Sequence, residues 1–556
     1  MEIRRENSAQ EQPLYARREL IMTMAALLLI MFLGTLDQTI TATALPRIVG
    51  DLQDFSLATW VTTVYLITST VTVPVYGKLS DQFGRKPILF FGLGVFLTGS
   101  ILSGLSQNMV QLIVFRAFQG LGAAALIPIV SAIVGDLFLP RERAKWIGIA
   151  AGVSGIATVV GPILGGWLTD HASWRWVFYV NVPVGLVVLL ALIFVMPPLK
   201  RTASSVTVDY AGAVLLILGT VLLLLGFSWA GSQYPWLSPQ VLGPFASALL
   251  CLIVFVIYEN ALEKQGKEPV LEPGLFVKSA RIFGVSMIMS FLFGVCVYGG
   301  TFFIPFFLQG VVGTSVTNSG LLLIPFAVAT IIGAIASGAL MSIFGRYKWL
   351  AVLGIVIGIA GFLLMLRLDV SSTSTDVLIG MVVMGLGLGT GMAIYTTVTQ
   401  NALPDKIGQM SAAVTFFRQI GGAIGLAAMG SVMNTAYLPA FLQAVPQGLR
   451  QALPGSLLSI FENPSNLLEG PGVLAQIQAG FATRGPQGMA AFNQLREAMR
   501  IGLAQGVHNG FLVCLGVMLA ALLIVWFLQE LPLRSRKQKR AAAQRAEVSA
   551  ADPALL

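Results

Sequence analysis

Four ionisable residues lie inside long apolar runs of this sequence, where a charge is costly and usually functional. Asp37 lies in the first run and Arg116 in the fourth, at positions that would place both in the outer half of a bilayer. They could form a structural ion pair, or Asp37 could bind and release a proton with an affinity that depends on the nearby cation and on hydration. Arg418 lies near the middle of a later run, and Glu259 lies near the end of its run, where we expect only an edge charge.

The composition excludes a soluble protein. Hydrophobic residues make up 56% of the 556 positions and charged residues only 11%, whereas soluble proteins carry about 25% charged residues. A disordered chain and a disulfide scaffold are excluded for the same reason. The three cysteines lie in apolar runs and the two histidines have no metal-ligand spacing, so we expect no metal and no cofactor.

The long apolar runs predict helices that cross a membrane. Barrel strands would alternate apolar and polar residues, but these runs are continuous and about as long as the roughly 20 residues that a spanning helix needs. We therefore predict an all-α polytopic membrane protein with 14 transmembrane helices, of which the seventh and eighth could instead be one re-entrant pair. The runs lie near residues 20–43, 57–77, 87–106, 109–135, 146–169, 174–196, 210–230, 240–260, 282–308, 317–342, 349–367, 376–402, 409–435 and 508–530.

The basic residues predict the orientation of these helices. With both termini in the cytoplasm, the inner segments hold 25 of the 34 lysines and arginines and the outer segments hold seven. This is the positive-inside pattern of membrane proteins. It predicts a cytoplasmic N-terminal tail at 1–19 and a basic cytoplasmic tail at 531–556.

An internal repeat predicts two related halves. Residues 77–86 read GKLSDQFGRK, and residues 338–348, which begin 261 positions later, read GALMSIFGRYK. Repeated halves around a central site are typical of transporters. The repeat predicts one six-helix bundle at 20–198, a linker with two extra helices at 199–274, and a second six-helix bundle at 275–530. The second bundle includes an outer loop, 436–505, in which we expect short amphipathic helices or a hairpin over the outer mouth.

Several motifs now give a specific resemblance. They are Leu36-Asp37-Gln38-Thr39, the loop Gly77–Lys86, Arg116 in LIVFRAFQGLGAAA, the segment Gly152–Gly166, and Trp174-Arg175-Trp176 followed by Phe178, Asn181 and Pro183. In this order the sequence resembles the major facilitator superfamily, and within it the fourteen-span drug:proton antiporters of the EmrB/QacA type. The resemblance covers residues from about 20 to 530 and implies the major facilitator fold.

The resemblance also implies roles for particular residues. Asp37 and Arg116 would couple transport to protons. Asp81 would contact the second bundle near the start of the thirteenth helix, and Arg85 would meet Asp136. Both contacts would hold the inner side shut. In the second repeat, Ser342 replaces the acid. The predicted latch comprises Gly77, Asp81, Gly84, Arg85, Lys86 and Asp136, and the antiporter motif comprises Gly155, Gly161, Pro162, Gly165 and Gly166 on about one helix face.

These features predict a proton-coupled secondary antiporter and not an enzyme. It would export hydrophobic drugs or toxic compounds, cationic ones included, by alternating access across a bacterial inner membrane, as a monomer and without nucleic acid. Exporters of lipids or metabolites with the same architecture, and a non-transporting receptor, are the alternatives. Candidate cavity residues are Trp60, Tyr65, Gln119, Phe291, Tyr298, Phe302, Tyr395, Phe417 and Arg418.

Overall fold

The protein is a bundle of long helices. A computed structural model describes residues 17–52, 57–138, 140–196, 209–230, 234–267, 269–314, 318, 321–452, 461 and 473–532. The long helices in chain order are α1 (Arg17–Leu52), α2 (Ala58–Phe83), α3 (Arg85–Leu105), α4 (Met109–Leu137), α5 (Pro140–His171), α6 (Asn181–Val195), α7 (Tyr210–Trp229), α8 (Pro239–Lys264), α9 (Val285–Phe307), α10 (Ile324–Phe344), α11 (Lys348–Met365), α12 (Ser374–Ala402), α13 (Ile407–Ala444) and α14 (Gly485–Ile524).

Thirteen of the described helices are long and apolar enough to cross a membrane. The fourteenth, α2, has 26 residues but contains six threonines and a polar inner end, which lower its hydropathy. The predicted all-α membrane fold is therefore confirmed. The inserted helices α7 and α8 are two separate helices of 20 and 26 residues, so the re-entrant alternative is wrong.

Both repeated loops turn at a glycine with a positive φ angle. Gly84 after α2 and Gly345 after α10 have φ angles of 97° and 69°, which glycine adopts without strain. In the first half, Lys86 donates to the carbonyl of Met196 at the end of α6 at 3.2 Å. In the second half, the Tyr347 hydroxyl donates to the carbonyl of Gln529 beyond α14 at 2.6 Å. Each loop thus joins the third helix of its bundle to the sixth.

The face that carries these loops is called the inner face here, and it is cytoplasmic according to the charge prediction. The two bundles pack tightly at this face. A Cβ at Gly148 of α5 would lie 2.6 Å from the carbonyl oxygen of Ala334 in α10, and a Cβ at Gly135 of α4 would lie 2.5 Å from Ile407. These close approaches depend on small residues.

The predicted outer loop 436–505 is largely helical. α13 runs on to Ala444 and α14 begins at Gly485, so both helices extend well beyond the predicted spans. The Tyr437 ring stacks on Phe441 at 5.7 Å, and its hydroxyl donates to the carbonyl of Phe461 at 2.6 Å. The apolar residues of this segment recur at helical spacing, and their side chains pack against one another. Its remaining residues, 453–460 and 462–472, lie outside the described part.

The inserted helices lie against the seam between the bundles. Leu224 of α7 packs with Ile67 and Val71 of α2 in one apolar cluster. Trp236, which precedes α8, donates its indole N–H to the hydroxyl of Ser431 in α13 at 2.6 Å. The insert therefore contacts both bundles.

Candidate transport site

A buried polar cluster lies in the middle of the first bundle. Asp37 on α1 and Arg116 on α4 form an ion pair, with the Arg116 Nη1 2.8 Å from the Asp37 Oδ2, and both side chains are almost completely buried. Gln119 donates to the Asp37 Oδ1 at 2.9 Å and accepts from Arg116 at 2.8 Å. Because Gln119 follows Arg116 by three positions in the helix, both project from one face of α4.

Aromatic rings cover the guanidinium group. The Arg116 Cζ lies 4.0 Å from the centre of the Tyr65 ring and 5.7 Å from that of Phe178. Such cation–π contacts contribute up to about 2 kcal/mol when the cation is desolvated. The Tyr65 hydroxyl and the Arg116 Nε have no hydrogen-bond partner within the described residues. Two polar groups beside the ion pair could therefore form further hydrogen bonds.

Close helix packing sets the position of this cluster. A Cβ at Gly99 of α3 would lie 2.6 Å from the Cα of Gln119, and a Cβ at Gly120 of α4 would lie 2.7 Å from the carbonyl oxygen of Tyr65. Only glycine lets α2 and α3 approach α4 this closely. This packing places the polar residues of α4 in contact with α1.

Sequence reasoning missed two members of the cluster. Asn181 at the start of α6 donates to the Asp37 Oδ1 at 2.8 Å and to the Ser100 hydroxyl at 3.0 Å. Ser100 in turn donates to the carbonyl of Phe178 at 2.8 Å. Asn181 was recognised only as part of a motif. The signal that could have found it is an amide side chain in an otherwise apolar helix.

The inner face holds a second charged cluster. Asp81 accepts from the backbone N–H groups of Gly408 at 3.2 Å and of Gln409 at 2.9 Å, at the beginning of α13. Arg85 contacts Asp81 at 2.5 Å and Asp136 at 2.8 Å. An anion at a helix N-terminus is stabilised by the free N–H groups and the helix dipole. The contacts of Asp81 therefore join the first bundle directly to the second.

The other predicted latch residues have different surroundings. Gly77 faces α13, and a Cβ there would lie 3.0 Å from the carbonyl oxygen of Gly408. Lys86 binds the end of α6 and so acts within the first bundle, not across the seam. In the second repeat, Ser342 is half buried on the equivalent turn, and Tyr347 binds the residues after α14.

The motif glycines of α5 face two neighbouring helices, so they do not lie on about one helix face as predicted. A Cβ at Gly155 would lie 2.9 Å from Ile331 of α10, whereas Gly161 and Gly165 pack against α1. A Cβ at Gly166 would meet no described atom within 4 Å, so this glycine is not a packing residue among the described side chains. Pro162 lies between the two packing faces inside the unbroken helix.

Three of the predicted cavity residues are buried instead of lining open space. Tyr65 and Gln119 belong to the ion-pair cluster, and Tyr395 packs its ring 5.5 Å from that of Phe293 with its hydroxyl unpartnered among the described residues.

The remaining cavity residues are more open. Tyr298 is 39% exposed and packs on Gly422, and Arg418 is half buried without an ion pair to any described residue. Phe291, Phe417 and Trp60 are also half buried, and the side chain of Phe302 lies outside the described part. In the described part of the chain, no three His, Cys, Asp or Glu side chains are grouped to hold a metal.

Comparison with known proteins identifies the family of this helical architecture. Residues 27–426 match the profile of the Major Facilitator Superfamily. The chain belongs to this superfamily. It is therefore a multi-pass membrane protein of a transporter family and not an enzyme.

Relatives over nearly the whole length support this assignment. The chain is 35% identical over 535 residues to the Multidrug transporter protein MdtP of Bacillus subtilis, which covers 94% of this chain and 95% of the relative. It is 35% identical over 419 residues to Multidrug resistance protein 3 of the same organism, with 74% and 79% coverage. It is also 32% identical over 421 residues to the Efflux pump FUS6 of Gibberella fujikuroi, with 74% and 75% coverage.

Two solved structures share the fold. The proton:xylose symporter XylE superposes with a TM-score of 0.58 at 12% identity, covering 95% of this chain and 100% of that structure. The human organic anion transporter MFSD10 superposes with a TM-score of 0.55 at 15% identity, covering 90% and 99%. At these identities the likeness extends to the fold alone.

Proposed function

We propose that this superfamily member is a drug:proton antiporter of the fourteen-span EmrB/QacA type in a bacterial plasma membrane. It would export hydrophobic toxic compounds, cationic ones included, and draw its energy from the proton gradient. The observation that carries the proposal is the buried Asp37–Arg116 pair with its two amide partners. Relatives named multidrug transporters support the substrate class.

The geometry suggests how Asp37 would exchange protons. Its carboxylate accepts hydrogen bonds from Arg116, Gln119 and Asn181. A rocking motion that separates α1 from α4 or α6 would remove donors from the carboxylate. Protonation would then become favourable, and a bound substrate would compete for the same conformational states. This linkage of proton and substrate through alternating access is antiport.

The test is proton release from purified protein when a substrate is added. Ethidium, a hydrophobic cation, is a suitable probe, and a drug-susceptibility panel in an efflux-deficient host identifies further substrates. Asp37→Asn should abolish proton release and uphill export. Asp369→Asn removes an exposed carboxylate outside the helices and should leave both unchanged. Full release from Asp37→Asn would contradict the proposal.

A second variant separates loss of coupling from loss of folding. Removing one partner of a buried ion pair destabilises by about 3–5 kcal/mol because the other charge stays buried. The double variant Asp37→Asn with Arg116→Gln removes both charges and should recover much of the thermal stability. It should still release no proton. Restored release in the double variant would place the proton site elsewhere.

A further inference from the structure

The inner ends of α7 and α8 hold two acidic side chains that the transport site does not use. Glu259 on α8 is completely buried, and neither of its carboxyl oxygens has a hydrogen-bond partner among the described residues. Asp209 caps α7 by accepting the backbone N–H of Gly212 at 2.9 Å through Oδ1, while its Oδ2 has no such partner. The expectation that Glu259 is only an edge charge is wrong, because the chain after α8 folds back over it.

The two carboxyl groups meet at Gly212. The Asp209 Oδ2 and the Glu259 Oε1 both lie against the position that a Cβ on this residue would occupy, so the site needs glycine. A buried carboxylate and a half-buried one this close cannot both stay ionised at low cost. A single shared proton would let one carboxyl group donate to the other and would satisfy their free oxygens.

No cation compensates this pair within the described part of the chain. Neither Asp209 nor Glu259 forms an ion pair there, and no group of side chains suited to a metal is found there. The backbone amides of Val270 and Leu271 interact with the Glu259 carboxyl group. The titratable or charged side chains beside the pair are Tyr258 next to Asp209, Glu263 on the Gly274 N–H, and Glu272, which pairs with Lys406. The same two helices also carry Tyr210 at the start of α7 and Lys264 at the end of α8.

Residues 269–272, called the strap here, connect the acid pair to the latch. Val270 is buried and accepts the side-chain N–H of Gln409 at 2.7 Å through its carbonyl. Glu272 of the strap forms an ion pair with Lys406, just before α13. The backbone N–H of Gln409 donates to Asp81 at 2.9 Å. A movement of the strap would therefore reach the contact that closes the inner side.

We propose that Asp209 and Glu259 form a second proton-binding site, which shares one proton at the inner face and controls the latch through the strap. In the protonated state the pair carries one negative charge less and the strap stays seated. When the proton leaves to water, two adjacent negative charges repel each other and attract water. The strap then loosens and the inner side opens more readily. The site needs no substrate, so its test is independent of the antiporter proposal.

The first test counts protons without substrate. Purified protein is titrated through the neutral range, where ordinary exposed carboxyl groups are already ionised. Glu259→Gln should release about one proton fewer per molecule than the wild type. Glu497→Gln is the matched control, because it removes a half-exposed glutamate at the outer end of α14, and it should release as many as the wild type. Equal proton counts in wild type and Glu259→Gln would overturn the proposal.

The second test measures opening of the inner side. Spin labels at Lys145→Cys and Arg346→Cys, which are exposed at the inner ends of α5 and α10, report the distance between the bundles after the native cysteines are replaced. The wild type should shift towards longer distances as pH rises, and Glu259→Gln should stay closed. An unchanged pH response in Glu259→Gln would overturn the coupling.

A third variant covers the case in which Glu259→Gln does not fold. Asp209→Asn removes the neighbouring negative charge and should also abolish the shared proton and the pH-dependent opening. Proton release that occurs only when sodium or magnesium is added would overturn the shared proton in favour of a bound metal cation.

Discussion

Asp81→Asn should open the inner side of the protein without removing it from the membrane. Asp81 is nearly buried and accepts two backbone N–H groups of α13 while it contacts Arg85. Hydrogen bonds to a charged group contribute about 1.5–3 kcal/mol each, and neutral ones about 0.5–1.5 kcal/mol. The asparagine carbonyl can keep one neutral bond, so the closed state loses about 2 kcal/mol.

This loss converts to a population that can be measured. About 2 kcal/mol changes the ratio of closed to open molecules about 30-fold. Electron–electron distance measurements between labels at Lys145→Cys and Arg346→Cys would detect the change, and export should fall while the amount of protein in the membrane stays normal. Ser342→Asn is the matched control, because it changes the equivalent position of the second repeat. Wild-type distances and export in Asp81→Asn would refute the latch, leaving the loop only a topological role.

Three further changes probe packing, folding and pH. Gly148→Ala should weaken the closed state and export, since its Cβ would lie 2.6 Å from the carbonyl oxygen of Ala334. Gly166→Ala should transport normally, since a Cβ there would have no described atom within 4 Å. Equal export by the two variants would contradict this packing. Tyr347→Phe should lower the free energy of unfolding by about 1–3 kcal/mol, because two partly buried hydrogen bonds to the residues after α14 are lost; an unchanged melting temperature would contradict this role. Hydrogen bonds from the neighbouring serines lower the pKa of Asp369, so protection of this loop in hydrogen exchange, corrected for intrinsic rates, should be full above the usual aspartate value of about 3.9 and should be lost as the pH falls from there through the lowered pKa. Protection that persists at lower pH would oppose that assignment.

The class of protein and most of its helices could be predicted from the sequence. Membrane crossing depends on local hydropathy, which is readable from each apolar run without knowledge of its neighbours. The repeat at 77–86 and 338–348 indicated two halves, and in the structure each of the two loops turns at a glycine with a positive φ angle. Asp37 and Arg116 could be matched because their depths in the bilayer follow from their positions along two helices, and the structure brings them to 2.8 Å.

The other groups that complete each site come together only when distant helices pack. Asn181 reaches Asp37 across 144 positions of sequence, and Asp81 reaches the N–H of Gly408 across 327. Glu259 lies near a helix end, yet the strap buries it. Hydropathy reports how deep a residue lies along its own helix, but not which way it points or what later segment covers it. Those contacts depend on helix rotation and on close glycine packing between distant helices, which no local pattern encodes.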